Sequence, residues 1–427
     1  MGELNLNRKG QGIMDVAKKA KLAKKASQSL AVLSSAQKDE ALEAMAYALE
    51  SNISKLIAEN KLDVSMAEEN KRPRALIDRL ILNEERIKAM AQGLRVIKSL
   101  PDPVGEVISQ WKRPNGLEVG QKRVPLGVVG IIYESRPNVT ADAIGLCIKT
   151  GNAVVLRGSS EAIHSNKAIV KIMTEAAYNA GIPNGAIQLI EDTSRQSVQE
   201  LIKLNGLIDV VIPRGGAGLI KTVIENATVP VIETGVGNCH VYVDGECDHD
   251  MALDIVVNAK TQRPGVCNAA ETLLVDKAIA KEILPRLIEK LQEKNVEIRG
   301  CEKTLEIVPQ VKAASLEDWS TEYLDYILAV KVVDGVDDAI DHINSYGSGH
   351  SEAIVTSNYF NAEKFLNYVD AAAVYVNAST RFTDGGEFGY GAEMGISTQK
   401  LHARGPMGLK ELTTIKYIIR GQGQIRE

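Results

Sequence analysis

Residues 127–140 read Gly-Val-Val-Gly-Ile-Ile-Tyr-Glu-Ser-Arg-Pro-Asn-Val-Thr. A short apolar run that ends in a polar, proline-containing turn predicts a buried strand over 127–133 and a helix over 139–150. The same alternation recurs, with strands predicted over 153–157, 187–190, 209–213 and 229–233 and helices over 161–180, 194–204 and 216–226. It predicts an α/β fold with a doubly wound parallel sheet, in which ligands bind beyond the carboxyl ends of the strands.

Composition narrows the class of protein. The 427 residues are 44% hydrophobic and 25% charged, a globular balance for about three structural units. Fifty basic against 55 acidic residues give a net charge of −5, which disfavours nucleic acid as a partner. No apolar run approaches the ~20 residues of a membrane span, and the N-terminus has no apolar signal segment. An anionic substrate would therefore have to be held by local arginines.

The flanks of this alternating region differ from it. Residues 14–99 have helical spacing, and the lysine-rich stretch at 18–25 is typical of a solvated helix face. Asn115-Gly116 between two alternating runs predicts a hairpin over 104–124. An isolated hairpin is marginally stable, so it must pack on something, and a neighbouring subunit is one candidate.

The second half of the chain repeats the α/β pattern over about 241–372. Strands are predicted over 239–243 and 272–275, and helices over 251–261 and 277–293. Alternation near the C-terminus predicts an edge strand over 411–420.

The five cysteines point to free thiols. They are odd in number and form no Cys-x-x-Cys pair, so we expect no disulfide framework, no metal site and a reducing, cytoplasmic setting. Cys147 lies mid-helix and Cys239 begins an apolar strand, positions typical of buried hydrophobes. Cys267 lies in a predicted loop, four residues after Arg263. An exposed thiol near a cation is a candidate nucleophile.

Polar residues follow the predicted strands of the first block. Asn138 suits either a helix N-cap or a donor to an oxyanion, and Arg136 suits a carboxylate or phosphate. Arg157, Ser159 and Ser160 end the second strand and suit a ribose phosphate, although either serine suits a helix cap equally well.

Three further stretches suggest ligand contacts. Gly215 and Gly216 permit close backbone approach to a phosphate, although no complete dinucleotide-binding glycine motif is present. Glu233 suits a general base or a solvated strand end. The glycine-rich, acidic stretch 384–393, which contains Glu387, predicts a loop that a ligand approaches closely.

In chain order these pieces resemble the aldehyde dehydrogenase superfamily. The resemblance rests on the asparagine after the first strand, the loop cysteine and the Glu-Phe-Gly loop, and it covers about residues 12–420. Residues 125–140, 262–269, 389–398 and 402–406 resemble most closely a branch that reduces an acyl phosphate. The resemblance implies a cofactor-binding domain (1–103 and 125–240, with part of 374–409), a catalytic domain (241–373) and an oligomerisation element (104–124 and 410–427).

The resemblance also implies a reaction. NADPH reduces L-glutamyl 5-phosphate to L-glutamate 5-semialdehyde and phosphate, the second step of proline biosynthesis from glutamate. Cys267 is then the nucleophile that forms a thioester, and Asn138 holds the oxyanion. The implied substrate ligands are Arg136, Arg263 and Arg404. The implied cofactor ligands are Arg157, Ser159, Ser160, Gly215, Gly216 and Glu387.

Two departures from the wider superfamily bear on this expectation. Glu233 stands where hydrolytic members activate water, but its sequence context differs, so its role is catalytic or structural. Arg157 stands where many members have lysine, which favours NADPH over NADH. The resemblance also implies a homo-oligomer and a possible association with glutamate 5-kinase, with no kinase fused to the chain. The alternatives are a hydrolytic aldehyde dehydrogenase with another substrate, or a binding protein on an inactive scaffold.

Overall fold

A computed structural model describes residues 2–134 and 136–426, with the side chains of residues 2–14 and 75 outside the description. The chain divides into two compact units. The first contains Met1–Glu233, Gly389–Gly395 and Met407–Glu427, and the second contains Thr234–Phe388 and Ile396–Pro406. The domain limits drawn from the sequence stay a prediction, because compactness alone assigns no cofactor or catalytic role.

The first unit begins with five helices, as the helical spacing predicted. They are α1 (Gly2–Leu30), α2 (Ser35–Ser51), α3 (Ile53–Glu69), α4 (Arg74–Leu80) and α5 (Glu84–Ser99). Local chemistry sets their starts: Ser34 caps α2 in a reciprocal capping box with Gln37, and Asn83 accepts the Arg86 N–H at the start of α5. Among the described residues, no helix is long and apolar enough to cross a membrane.

The predicted hairpin and the C-terminal strand are confirmed and lie in one sheet. β1 (Val107–Lys112) pairs with β2 (Glu118–Pro125), and β2 pairs with the last strand of the chain, Thr413–Arg420. Both pairings are antiparallel, and the last strand lies at the edge of this three-stranded sheet. Its role as an oligomerisation element stays a prediction.

A four-stranded parallel sheet forms the centre of the first unit, as the opening stretch predicted. Its strands are β3 (Val128–Tyr133), β4 (Ala153–Gly158), β5 (Ile187–Leu189) and β6 (Val210–Arg214), in the order β5-β4-β3-β6. The helices between and after them are α6 (Asn138–Lys149), α7 (Ile163–Asn179), α8 (Arg195–Leu201) and α9 (Ala217–Asn226). Every residue of β3 and β4 is buried, which is why these strands are continuous apolar runs.

The strand predicted over 229–233 is wrong. This segment is irregular, with a single bridge between Val231 and Val211. Pro230 has no N–H to donate, and only its carbonyl takes part, by accepting the Val211 N–H. Glu233 therefore lies within an irregular segment that continues to β7, and it does not end a strand.

The second unit is a second α/β block with a seven-stranded sheet in the order β10-β9-β11-β8-β7-β12-β13. Its larger strands are β7 (Cys239–Val243), β8 (Ala270–Asp276), β9 (Glu297–Gly300), β11 (Ile327–Val333), β12 (Ser351–Val355) and β13 (Ala373–Val376), with β10 (Lys312–Ala313) at one edge. The helices are α10 (His249–Thr261), α11 (Ala280–Glu293), α12 (Glu302–Ile307), α13 (Val336–Tyr346) and α14 (Tyr359–Tyr368). The short strands β14 (Ile396–Ser397) and β15 (Gly405–Pro406) pair separately, and the C-terminal strand is β16. The α/β expectation for this half is confirmed.

Candidate active site

Cys267 is half-buried in the loop that joins α10 to β8, as the sequence predicted. The Cys239 thiol donates to the Cys267 carbonyl, with sulfur and oxygen 3.1 Å apart. Buried Gly237 lies against the same peptide, since a Cβ built on it would stand 2.6 Å from the Cys267 Cα. The Gly237 N–H donates to Glu322 over 2.7 Å. The loop that contains Cys267 (residues 262–269, the Cys267 loop) is thus fixed through its backbone.

The residue after the cysteine anchors the loop to a second segment. Asn268 donates its side-chain amide to the carbonyls of Arg381 (3.3 Å) and Thr383 (2.9 Å), while the Thr380 hydroxyl donates to the Asn268 carbonyl (2.7 Å). Arg381 returns the contact, because its Nε donates to Gln262 at the start of the loop, 2.9 Å away. The sequence analysis missed Arg381, which lies in Ser379-Thr-Arg-Phe-Thr383 and matches no motif recognised there.

A buried polar chain continues behind the loop. His350 Nδ1 is 3.7 Å from the Cys239 sulfur and 2.8 Å from the Ser351 hydroxyl, which donates to Thr383. The Thr383 hydroxyl is 2.7 Å from the Tyr375 hydroxyl. Burial lowers the pKa of His350 to about 4. The imidazole is therefore neutral at physiological pH, and this chain supports the loop without placing a charge behind it.

Three of the other four cysteines have surroundings that disfavour the thiolate. Cys147 and Cys239 are buried, and burial raises the pKa of each thiol. Burial, with nearby Asp244, also raises the pKa of Cys247 to about 11. Because the thiolate is the reactive form, these three cysteines are disfavoured at neutral pH.

The predicted substrate arginines of the second unit differ in their surroundings. Arg263 is exposed. Burial lowers the pKa of Arg381, and the nearby Arg263 lowers it further. Arg404 is exposed and donates to Asp370 over 2.6 Å, a carboxylate that it shares with Lys400. Arg404 thus already has an acidic partner, whereas Arg263 has another arginine, Arg381, as a neighbour.

Asn138 is the first residue of α6, and Pro137 takes the N-cap position, so Asn138 does not cap the helix. Its side-chain nitrogen donates to the Asp142 carboxylate, one turn along, over 3.2 Å. Burial raises the pKa of Asp142 to about 6. An ionised carboxylate only accepts, so it fixes which end of the Asn138 amide faces it and leaves a second N–H to donate elsewhere.

The turn after β6, which contains Gly215 and Gly216, is in contact with a carboxylate from another turn, that of Glu134. No sequence motif marked this glutamate. Glu134, from the turn after β3, accepts the Gly216 N–H over 2.9 Å. A Cβ on Gly215 would stand 2.6 Å from the Glu134 carboxyl carbon, so a larger residue there would have to displace this side chain. Arg136 lies in the same turn, where its backbone N–H donates to the Glu134 carbonyl. One backbone N–H of this turn thus donates to an anionic group, as backbone N–H groups do in a phosphate site.

The carboxyl end of β4 has two different polar environments. Arg157 is buried, and its guanidinium donates to the carbonyls of Thr193 (2.6 Å) and Ser194 (2.8 Å) in the turn before α8. Ser159 precedes a short 3₁₀ segment that begins at Ser160, but its hydroxyl makes no capping bond. That hydroxyl is buried and has no hydrogen-bond partner. Arg157 therefore orders the turn, and Ser159 presents an unsatisfied hydroxyl.

A nicotinamide dinucleotide fits the residues of the first unit on two observations. The Ser159 hydroxyl and the Arg214 Nε are buried without hydrogen-bond partners at the ends of β4 and β6. Gly215 and Gly216 expose backbone at the end of β6. A phosphate or ribose hydroxyl would supply the missing partners.

Two predicted acidic residues lie in irregular segments. Glu233 is half-buried at the end of the long N-terminal segment of the first unit. Glu387 is exposed in the second unit, in a turn whose N–H groups at 386 and 387 donate to Asp384. The prediction that residues 384–393 form a loop is confirmed, and the catalytic or cofactor roles of these glutamates stay predictions.

Comparison with known proteins places this arrangement in a class. The model of the aldehyde dehydrogenase family matches residues 8–325 and 319–418. An acetylating aldehyde dehydrogenase from Geobacillus thermoglucosidasius shares the fold, with a TM-score of 0.72 at 21% identity over 98% of this chain and 99% of that chain. The chain belongs to the aldehyde dehydrogenase family, and the predicted fold class and enzyme class are confirmed.

Three relatives that are 52–65% identical to this chain share one name. Gamma-glutamyl phosphate reductase from Thermoanaerobacter pseudethanolicus is 65% identical over 414 residues, 97% of this chain and 100% of the relative. The Clostridium perfringens protein of that name is 63% identical over 96% of this chain and 98% of its own length. The crystal structure of the Thermotoga maritima gamma-glutamyl phosphate reductase has a TM-score of 0.95 at 52% identity, covering 97% of this chain and 100% of that chain. The branch to which residues 125–140 and 262–269 pointed is thereby confirmed.

Proposed function

We propose that this protein reduces L-glutamyl 5-phosphate with NADPH, giving L-glutamate 5-semialdehyde and phosphate in the second step of proline biosynthesis. The observation that carries the proposal is Cys267 in a loop fixed through its backbone and flanked by arginine. Relatives that are 62–65% identical over nearly their whole length are named for this substrate.

The first chemical step forms a thioester. The Cys267 thiolate attacks the carbonyl carbon of the acyl phosphate, and the oxyanion that forms accepts hydrogen bonds from the Asn138 amide and from a backbone N–H near Cys267. The carbon–oxygen bond to phosphate then breaks with its electron pair, and inorganic phosphate leaves. Arg136, Arg263 and Arg404 are the proposed ligands of the phosphate and of the substrate α-carboxylate.

The second step releases the aldehyde. When bound, the nicotinamide cofactor supplies the hydride that reduces the thioester carbon. Asn138 stabilises the resulting oxyanion, and the carbon–sulfur bond breaks to regenerate the Cys267 thiolate. The aldehyde then leaves the enzyme and cyclises spontaneously to pyrroline-5-carboxylate.

The first unit supplies the proposed cofactor ligands. Gly215 and Gly216 offer backbone N–H groups to a phosphate, and displacement of the Glu134 carboxylate would free the Gly216 N–H. Ser159 and Ser160 are the proposed ligands of the ribose or its 2′-phosphate, and Arg157, which orders the turn before α8, is proposed to support them. A further proposed cofactor ligand, Glu387, comes from the second unit.

The reverse reaction tests the proposal. The protein is incubated with pyrroline-5-carboxylate as the source of glutamate semialdehyde, with NADP, and with or without phosphate, while NADPH is followed. We expect NADPH to form only with phosphate, because phosphate must take the acyl group from Cys267. Formation without phosphate would mean that water takes the thioester, that Glu233 is a working base, and that the protein is a hydrolytic aldehyde dehydrogenase.

We also propose a cytoplasmic homo-oligomer. The three-stranded sheet of β1, β2 and β16 supports it, because this sheet exposes apolar side chains. An association with the kinase that makes the labile acyl phosphate would shorten its exposure to water, and co-purification of the two proteins tests that association.

A further inference from the structure

Arg381 is hydrogen-bonded to both ends of the Cys267 loop. Its Nε donates to Gln262, five residues before the cysteine, and its carbonyl accepts from Asn268, directly after the cysteine. Its backbone is held in turn by the Ser379 hydroxyl, which accepts the Arg381 N–H. The Nε bond leaves the two terminal guanidinium nitrogens available, and it fixes the direction in which they point.

Arg381 has a second arginine, Arg263, among its charged neighbours. Burial lowers the pKa of Arg381, and the neighbouring Arg263 lowers it further, whereas Cys267 and Asp384 act in the opposite direction. Two guanidinium groups that repel each other beside one thiol are stabilised when an anion bridges them. Arginine also suits phosphate particularly well, because its planar fork binds two oxygens at once.

We propose that Arg381 and Arg263 together form the subsite that holds the phosphoryl group of the substrate beside Cys267, and inorganic phosphate in the reverse reaction. This inference rests on the proposed function for the identity of the anion. It assigns Arg381 to phosphate binding, and it leaves Arg404, which is paired with Asp370, to other contacts. Each arginine supplies charge to the leaving phosphate as its bond to carbon breaks.

The local charge is tested first, without turnover. Iodoacetate is anionic and iodoacetamide is neutral, and both alkylate the Cys267 thiolate. We expect iodoacetate to be favoured in the unmodified protein, and the ratio of the two rates to fall about tenfold or more in Arg381→Gln. Arg381→Lys keeps the charge and restores most of the ratio. The control Arg286→Gln removes an exposed arginine of α11 and leaves the ratio unchanged.

Phosphate binding is tested second, in the reverse reaction. We expect the KM for phosphate to rise about 10- to 100-fold in Arg381→Gln, with a smaller rise in Arg381→Lys and none in Arg286→Gln. The KM for NADP stays constant, which distinguishes loss of the subsite from general damage to the fold.

The two tests separate the inference from the proposed function. An unchanged alkylation ratio in Arg381→Gln, when circular dichroism shows an intact fold, would overturn the anion subsite. If the alkylation ratio changes in Arg381→Gln but the reverse reaction of the unmodified protein does not depend on phosphate, the anion subsite stands and the acyl-phosphate reaction is refuted. A changed ratio with an unchanged KM for phosphate would overturn the assignment of the subsite to phosphate.

Discussion

Gly237 packs directly on the peptide of Cys267, so that a Cβ at Gly237 would overlap the Cys267 carbonyl group. The contact joins the irregular segment before β7 to the Cys267 loop, and the Cys239 thiol donates a hydrogen bond to the Cys267 carbonyl. The absence of a side chain at Gly237 therefore sets the position of Cys267.

Gly237→Ala should displace the Cys267 loop. We expect turnover to fall by about 100-fold, because a shift of about 1 Å in a reacting group can cost that much. NADPH binding, measured by fluorescence titration, should be preserved. The matched control is Gly93→Ala in α5, where an added Cβ makes only an ordinary 3.8 Å contact. Near-normal turnover in Gly237→Ala would contradict the proposed role of this contact.

Cys267→Ser should abolish reduction while leaving NADPH binding intact, because a hydroxyl at neutral pH is a far weaker nucleophile than a thiolate. Steady-state assays and a binding titration on the same preparation check both halves. Cys247→Ser, which changes another half-buried thiol, should retain activity. Full activity of Cys267→Ser would refute the thioester mechanism.

Asp142→Asn should alter how stability depends on pH. The pKa of Asp142 is about 6 in the folded protein, because of burial, against about 3.9 when unfolded. Ionisation therefore costs folded stability as pH rises from about 4 to above 6. The penalty reaches at most ~3 kcal/mol, and it is smaller because the residue keeps some solvent contact.

The measurement for Asp142 is Tm at pH 4.5 and at pH 7.5. The Tm of Asp142→Asn minus that of the unmodified protein should become more positive at pH 7.5. Asp341→Asn, at an exposed position of α13, provides the control and should show no such trend. A Tm difference for Asp142→Asn that stays constant across this range would exclude a raised pKa.

Ile419→Lys should disrupt the proposed homo-oligomer. Ile419 and Tyr417 lie on one face of β16, both more than half exposed, and the Tyr417 ring meets Trp111 edge-on with ring centroids 6.5 Å apart. Exposed apolar faces of this kind are typical of subunit interfaces. We expect light scattering to show a lower mass for Ile419→Lys. Tyr47→Lys, at an exposed aromatic on α2, should leave the mass unchanged.

Sequence reasoning predicted most of the first sheet because its strands are buried on both faces. Such strands are short continuous apolar runs, as in β3 and β4, and polar turns separate them from helices. The segment 229–233 has the same apolar composition but forms only one bridge, since Pro230 cannot donate to a neighbouring strand. Composition alone did not distinguish these cases.

The sequence by itself determined the α/β class, the hairpin and the position of Cys267 in a loop, because these depend on neighbouring residues along the chain. Only the tertiary structure decided that Gly237 packs on Cys267, that Arg381 spans the loop, and that Glu134 occupies the glycine turn. Each of these contacts joins residues that are 30 to 119 positions apart in the sequence. The contact of Glu134 also depends on the order of the strands, because it joins the turns after β3 and β6. Local sequence patterns do not specify contacts between distant residues, so only the folded chain shows what surrounds these groups.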